Sequence, residues 1–251
     1  MRILLEVAYD GTDYHGWQFQ ENADTIEGEL NRAISALIKK ETEVIGASRT
    51  DAGVHGLCNL AVFDSDMDIP ADKYAYALNT MLPPDIRIRR SVKVADDFHP
   101  RRMKVTKTYR YTIDCEEFPN PLKTRYAHFT YGKIDVDLMS QAAIYLIGEH
   151  DFTSFCSTAT TAVSAVRTIY DIGVTRQNED IFITVTGNGF LYNMVRIIAG
   201  TLMEVGRGRI APKEVKDILE AKDRTKAGPT AEACGLALLK IDWEGDLKID
   251  G

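Results

Sequence analysis

Apolar residues along the chain recur with two periods, and the order in which those periods alternate predicts the architecture. Ile3 to Ala8 reads as a strand. Asp24 followed three residues later by Glu27 makes a capping-box-like start, after which Ile26, Leu30, Ala33, Ile34, Leu37 and Ile38 recur on one helical face. A helix from Thr25 to Lys40 is predicted. Strands are expected at Glu43 to Ala47 and Leu60 to Phe63, a second helix opens at Pro70, and Ile86 to Val94 closes with another strand. The same order then repeats with longer insertions: strand Lys107 to Ile113, helix Leu138 to Ile147, strands Val166 to Thr175 and Ile181 to Thr186, helix Leu191 to Val205, strand Leu236 to Asp242. A short strand from Tyr126 to Tyr131 and a helix after Pro212 decorate this second half. Two successive βαββαβ orders predict an α+β chain of two ferredoxin-like halves with antiparallel sheets, residues 1–100 and 101–251, and an active-site cleft between them. The Thr153 to Ser164 tract lacks apolar periodicity and reads as a mobile connection.

Composition narrows the class. With 45% apolar residues in 251, a globular core is expected and disorder is excluded. The longest uncharged stretch, Phe152 to Val166, is too short and too rich in Ser and Thr to span a bilayer, which needs roughly 20 apolar residues. No signal-peptide core precedes Tyr9-Asp10-Gly11, and Cys58, Cys115, Cys156 and Cys234 form no C-x-x-C pair. A cytoplasmic protein with reduced thiols and no membrane partner is expected. None of the five histidines has a second ligand at metal spacing, so no metal is expected.

Net charge is -7, but its distribution matters more than the total. Between Arg87 and Arg110, nine basic residues face only Asp96 and Asp97, so this segment carries +7 and the remainder -14. Either a local phosphate-binding surface or a charge-guarded strand edge has this composition.

The loop Ala47-Ser48-Arg49-Thr50-Asp51-Ala52-Gly53-Val54-His55-Gly56 lies between two predicted strands. It can hold one carboxylate rigidly, and Arg49 near Asp51 would keep that carboxylate ionised as nucleophile or base. A turn with a surface ion pair would use the same residues. Trp17 and Phe19 can stack on bases but are expected to pack beneath the loop. Tyr109 and Tyr111 alternate with Arg110 on a strand, where one aromatic face can be core, and Arg196 sits in an apolar helical run where burial would demand a partner.

Arg49 to His55 closely resembles the active-site motif of the TruA family of tRNA pseudouridine synthases. Tyr9-Asp10-Gly11-Thr12 with Gly16-Trp17-Gln18, Lys107-Thr108-Tyr109-Arg110-Tyr111, Gly187 to Arg196, and Pro229-Thr230-Ala231 with Gly235-Leu236 resemble the same family in the same order. The resemblance spans nearly the whole chain, although Pro100-Arg101-Arg102-Met103 and Gly56-Leu57-Cys58-Asn59 depart from the usual pattern.

The resemblance implies an isomerase that converts uridine to pseudouridine at positions 38–40 of the tRNA anticodon stem-loop, as a homodimer and without a cofactor. Asp51 would be the catalytic carboxylate, Arg49 and Arg196 its support, and Tyr109 the residue that binds the target base. Arg101, Arg102, Lys104, Lys107 and Arg110 are the expected RNA contacts. A noncatalytic RNA-binding protein with two RRM-like halves is the rival from another class. It predicts an aromatic RNP1 strand, which is lacking, and leaves Arg49-Thr50-Asp51 unexplained. A pseudouridine synthase with another RNA target would share every catalytic residue.

Overall fold

Strand β1 (Arg2–Tyr9) is the middle of the first sheet because its alternate residues are apolar on one side: Ile3, Leu5 and Val7 are fully buried. The computed structural model describes residues 1–157 and 163–243, which form two units. The first comprises Met1–Val105 and the stretch from Leu238, and the second Thr106–Ala237.

In the first unit β1 is followed by α1 (Ile26–Ile38), β2 (Ile45–Gly46), β3 (His55–Asp64), α2 (Tyr74–Asn79) and β4 (Ile86–Val94). The strands run in the order β4-β1-β3, and β2 pairs with β3; every one of these pairings is antiparallel. Ile26, Leu30 and Ile34 of α1 and Tyr74 and Leu78 of α2 pack with Ile3, Leu5, Val7, Phe63, Ile86 and Ile88 in one core. The β1–β4 register shifts between Glu6 and Val7: Glu6 pairs with Arg90 and Val7 with Ile88, leaving Arg89 as the extra residue of a β-bulge.

The second unit contains β5 (Val105–Asp114), β6 (His128–Phe129), α3 (Val136–Ala143), β7 (Gly148–Asp151), β8 (Val166–Gln177), β9 (Asp180–Gly187), α4 (Met194–Gly206) and α5 (Glu214–Ala221). β10 (Leu236–Trp243) then carries the chain back to the first unit, where the strand order places it beside β3. Antiparallel pairing joins β5 to β9, β9 to β8 and β8 to β7, whereas β6 runs parallel to β5. Ile181, Ile183 and Val185 of β9 and Ile197, Ile198 and Leu202 of α4 are fully buried, and α3 packs on α4. The chain is therefore mixed α+β and mostly antiparallel, as the two periods predict.

Several elements differ from the pattern-based expectation. Thr25, not Asp24, caps α1: its side chain accepts from the Gly28 amide, while Glu27 turns back to accept from the Phe19 amide at 2.8 Å. The expected strand Glu43 to Ala47 pairs only at Ile45 and Gly46, and Leu60 to Phe63 extends back to His55 because the polar Asn59 points inward. Pro70 opens a 3-10 turn, Ala71–Lys73, ahead of α2. The helix expected to reach Ile147 ends at Ala143 and tightens into a 3-10 turn, and β7, with the polar sequence Gly-Glu-His-Asp, carries no apolar alternation to announce it. The connection after β7 is anchored at its start: Thr153–Phe155 forms a 3-10 turn, and Phe152 and Phe155 are fully buried. Residues 158–162 of that tract lie outside the described residues.

Burial of α1 predicts that Ile34→Ala lowers stability by about 2–5 kcal/mol, because it removes a fully buried side chain and leaves a cavity. Leu37→Ala, at a half-buried position, should cost less. Denaturant midpoints of the two variants check this, and equal losses would contradict the packing described.

Candidate active site

Asp51 sits in the turn between β2 and β3, and the backbone on either side of it is tied to the segment that follows β1. Before it, the Trp17 amide donates to the Thr50 carbonyl at 3.0 Å; after it, the Gly53 amide donates to the Tyr14 carbonyl at 3.2 Å. The Val54 amide closes the turn on the Asp51 carbonyl at 3.1 Å. Buried polar side chains do the rest. The Tyr9 hydroxyl and Thr50 Oγ1 are 2.9 Å apart, and Asn59 Nδ2 donates to the Ser48 carbonyl at 2.9 Å. Thr50, Ser48 and Asn59 are all buried, so each of these groups would lose free energy if its partner were removed.

Gly16 permits this closeness. Its φ is +90°, and a Cβ there would lie 2.6 Å from the Thr50 carbonyl oxygen and 3.2 Å from the Asp51 carbonyl carbon. Only glycine fits both the conformation and the gap. Trp17, fully buried, packs under the same loop with its ring 5.8 Å from that of Tyr9. Phe19 does not join it and is 54% exposed, contrary to the expectation of packing.

His55 belongs to this scaffold. Its Nδ1 accepts from the Gly11 amide at 3.1 Å and lies 3.2 Å from the Asp10 carboxylate. The net result is a half-buried Asp51 on a fixed backbone, with its neighbour Arg49 exposed rather than buried beside it. A carboxylate held in this way is pre-positioned as nucleophile or base without having to order its own loop.

In the second unit, Tyr109 and Tyr111 share a face of β5. Tyr111 is fully buried and donates to the Glu232 carbonyl at 2.8 Å; burial above all holds its hydroxyl well above the ordinary tyrosine pKa, so it remains a donor. Tyr109 is 6% exposed and meets Phe190 edge to face, with ring centroids 5.2 Å apart. Phe190 is brought there by the turn after β9, where Asn188 accepts from the Thr168 amide at 3.0 Å and donates its own amide to the Thr168 carbonyl at 3.1 Å.

Arg196 is half-buried in the first turn of α4. Nε donates to the Ala231 carbonyl at 2.8 Å and Nη1 to Asn193 Oδ1 at 2.8 Å. Asn193 caps the helix with φ +61° and is itself held by Ser157. The Pro229-Thr230-Ala231 segment can reach Arg196 because α4 carries Gly200 at the contact, where a Cβ would collide with the Pro229 carbonyl oxygen. Two glycine-dependent approaches thus position the two charged groups, one in each unit.

The basic block is less uniform than its composition. Arg101 and Arg102 are exposed in the turn after His99, and Arg101 Nε donates to the Gly46 carbonyl at 2.7 Å. Lys104 is exposed, Lys107 half-buried, and the Arg110 guanidinium lies 5.3 Å from the centre of the Phe182 ring. Among the described residues no three His, Cys, Asp or Glu side chains are grouped so as to hold a metal ion. No described helix is long and apolar enough to cross a membrane.

Sequence reasoning did not single out Tyr9, Asn59 or Phe190 as supporting residues. Asn59 was detectable only as a polar residue at an inward position of a strand, and Phe190 only through the turn that aims it.

The chain matches the family described as tRNA pseudouridine synthase over residues 6–101 and 142–244. It is 46% identical to tRNA pseudouridine synthase A of Acetivibrio thermocellus over 239 residues, covering 95% of this chain and 98% of that one. It is 47% identical over 240 residues to the enzyme of the same name from Thermoanaerobacter sp., with the same coverage. It is 44% identical over 247 residues to that of Bacillus subtilis, covering 97% of this chain and all of the other. A solved chain in the crystal structure of the archaeal box H/ACA sRNP Nop10-Cbf5 complex shares 12% identity; this chain spans 60% of its length, with a TM-score of 0.36. That likeness is too slight to bear on function.

The buried Tyr9–Thr50 pair gives a direct test of the scaffold. Tyr9→Phe should cost about 1–3 kcal/mol by leaving the Thr50 hydroxyl unpaired, whereas Tyr9→Phe with Thr50→Val should cost less than the sum of the single changes. Thermal unfolding of the four proteins measures the coupling, and strict additivity would show that the pair does not hold the loop.

Proposed function

The chain belongs to the tRNA pseudouridine synthase family, and from that premise we propose that it acts on uridines 38–40 of the anticodon stem-loop with Asp51 as the catalytic carboxylate. That it is an isomerase acting on tRNA follows from the family itself. The observation that carries the assignment to Asp51 is the half-buried carboxylate on a loop whose backbone is bonded on both sides.

Isomerisation breaks the C1′–N1 glycosidic bond of uridine and forms a C1′–C5 bond. The proton on C5 is lost and N1 gains one, so the reaction has no net redox change and consumes no water. A carboxylate serves such chemistry either by attacking C1′ or by removing a ribose proton. In this reading Tyr109 lies against the target base, its ring held by Phe190, and its hydroxyl assists removal of the C5 proton. Arg196, fixed by Ala231 and Asn193, is the supporting cation, and Arg49 a solvent-side one. Arg101, Arg102, Lys104, Lys107 and Arg110 contact RNA phosphates. The proposal includes a homodimer in the cytoplasm and, for each unit, a ferredoxin-like half. The order β4-β1-β3 with β2 on β3 supports that last reading for the first unit.

The test uses prefolded tRNA carrying tritium at uridine C5. Asp51→Asn, nearly isosteric but unable to act as the anion, should abolish label release with tRNA affinity retained. Release at the wild-type rate would remove Asp51 from the mechanism. Tyr109→Phe should bind tRNA normally, break the glycosidic bond and stall before release, whereas Tyr109→Ala should also slow bond breaking, because stacking on a flipped base is worth about 1–3 kcal/mol. Wild-type release by both variants would make Tyr109 ordinary sheet packing. Mapping of pseudouridine in the product tRNA tests the positions, and modification outside 38–40 would overturn that part.

A further inference from the structure

β4 is the terminal strand of the first unit's sheet, and Arg87, Arg89, Arg90 and Lys93 on it are exposed. Simple alternation would turn only every second side chain to one face. The β-bulge changes the count. Arg87 pairs with Ala8 and Arg90 with Glu6, and on β1 these positions point away from the helix-packed side that holds Leu5, Val7 and Tyr9. Arg89, the inserted residue, has no cross-strand partner, and its charge reaches the half-buried Cys58 thiol on β3, opposing the upward pKa shift that burial imposes there. Three guanidinium groups therefore occupy four successive positions, about 10 Å of strand.

The neighbouring charges leave this row positive. Glu6 on the adjoining strand lies 3.9 Å from Arg90, one carboxylate against three guanidinium groups. Arg87 is partly occupied, donating from Nη1 to the carbonyls of Pro83 and Ile86. Edge charge and a β-bulge also guard against strand addition, a use that asks nothing of the cation beyond its charge. Guanidinium groups in a row suit an anionic backbone, since each can meet a phosphate with paired N–H donors.

We propose that the bulged face of β4 is a phosphate-binding row, led by Arg89 and Arg90, for the substrate RNA backbone outside the reacting nucleotide; the proposal rests on the tRNA reading above. The test compares wild type, the pair Arg89→Gln with Arg90→Gln, the charge-retaining pair Arg89→Lys with Arg90→Lys, and a control pair Lys133→Gln with Lys213→Gln at exposed sites in the second unit. Binding of prefolded tRNA is followed between about 50 and 200 mM salt. The Gln pair should raise Kd about tenfold at low salt and flatten the dependence of log Kd on log salt by one to two units, roughly one for each phosphate no longer neutralised. Tritium release at limiting tRNA should fall in step with the lost affinity. The Lys pair should keep most of the slope, which also preserves the test if the Gln pair folds poorly, and the control pair should match wild type. Unchanged slope and affinity in the Gln pair, or an equal loss in the control pair, overturns the row while wild-type tritium release leaves the enzyme reading standing. Absence of release by wild type would instead overturn the reading on which the row rests.

Discussion

The close approach of the Gly16-Trp17 backbone to the Thr50-Asp51 peptide is the constraint on which the site in the first unit depends. A carboxylate on a free loop would pay the entropy of ordering several residues each time it reacted, at about 1–2 kcal/mol per residue of backbone. Here that ordering is completed during folding, by the amide of Trp17, the carbonyl of Tyr14, the hydroxyl of Tyr9 and the buried amide of Asn59. They make the position of Asp51 a property of the sheet beneath it, because Tyr9 ends β1 and Asn59 lies within β3.

The second unit solves a related problem with different parts. A guanidinium at the start of an apolar helix is costly unless its donors are satisfied. The Ala231 carbonyl and the Asn193 side chain satisfy two of them, and the small Gly200 admits the segment that brings Ala231 close. The same segment supplies the Glu232 carbonyl that takes the Tyr111 hydroxyl. Residues that look unrelated in sequence, near 111, 196 and 230, thus form one hydrogen-bonded support.

Much of the architecture was legible because long amphipathic elements repeat their period many times. α1 shows its buried stripe from Ile26 to Ile34, and α4 is apolar on nearly every face because it is buried on nearly every face. Short or polar elements were not legible in this way. β7 has no apolar alternation, β2 pairs two residues only, and the bulge at Arg89 comes from the register shift against β1. The site divides likewise. Asp51, Tyr109 and Arg196 could be picked out by family resemblance, but their supports are tertiary: Asn59 reads as a polar residue in a strand, and Phe190 reaches Tyr109 only through the turn after β9.

The most direct measurement of whether the pinned loop matters is the single-turnover rate of tritium release by Gly16→Ala, with tRNA affinity determined alongside. The added Cβ must displace the Thr50-Asp51 peptide, and a displacement near 1 Å at a catalytic group can cost about a hundredfold in rate. The account predicts a fall of at least about tenfold with tRNA affinity retained. A wild-type rate in this variant would contradict it, showing that the carboxylate does not depend on the backbone that holds it.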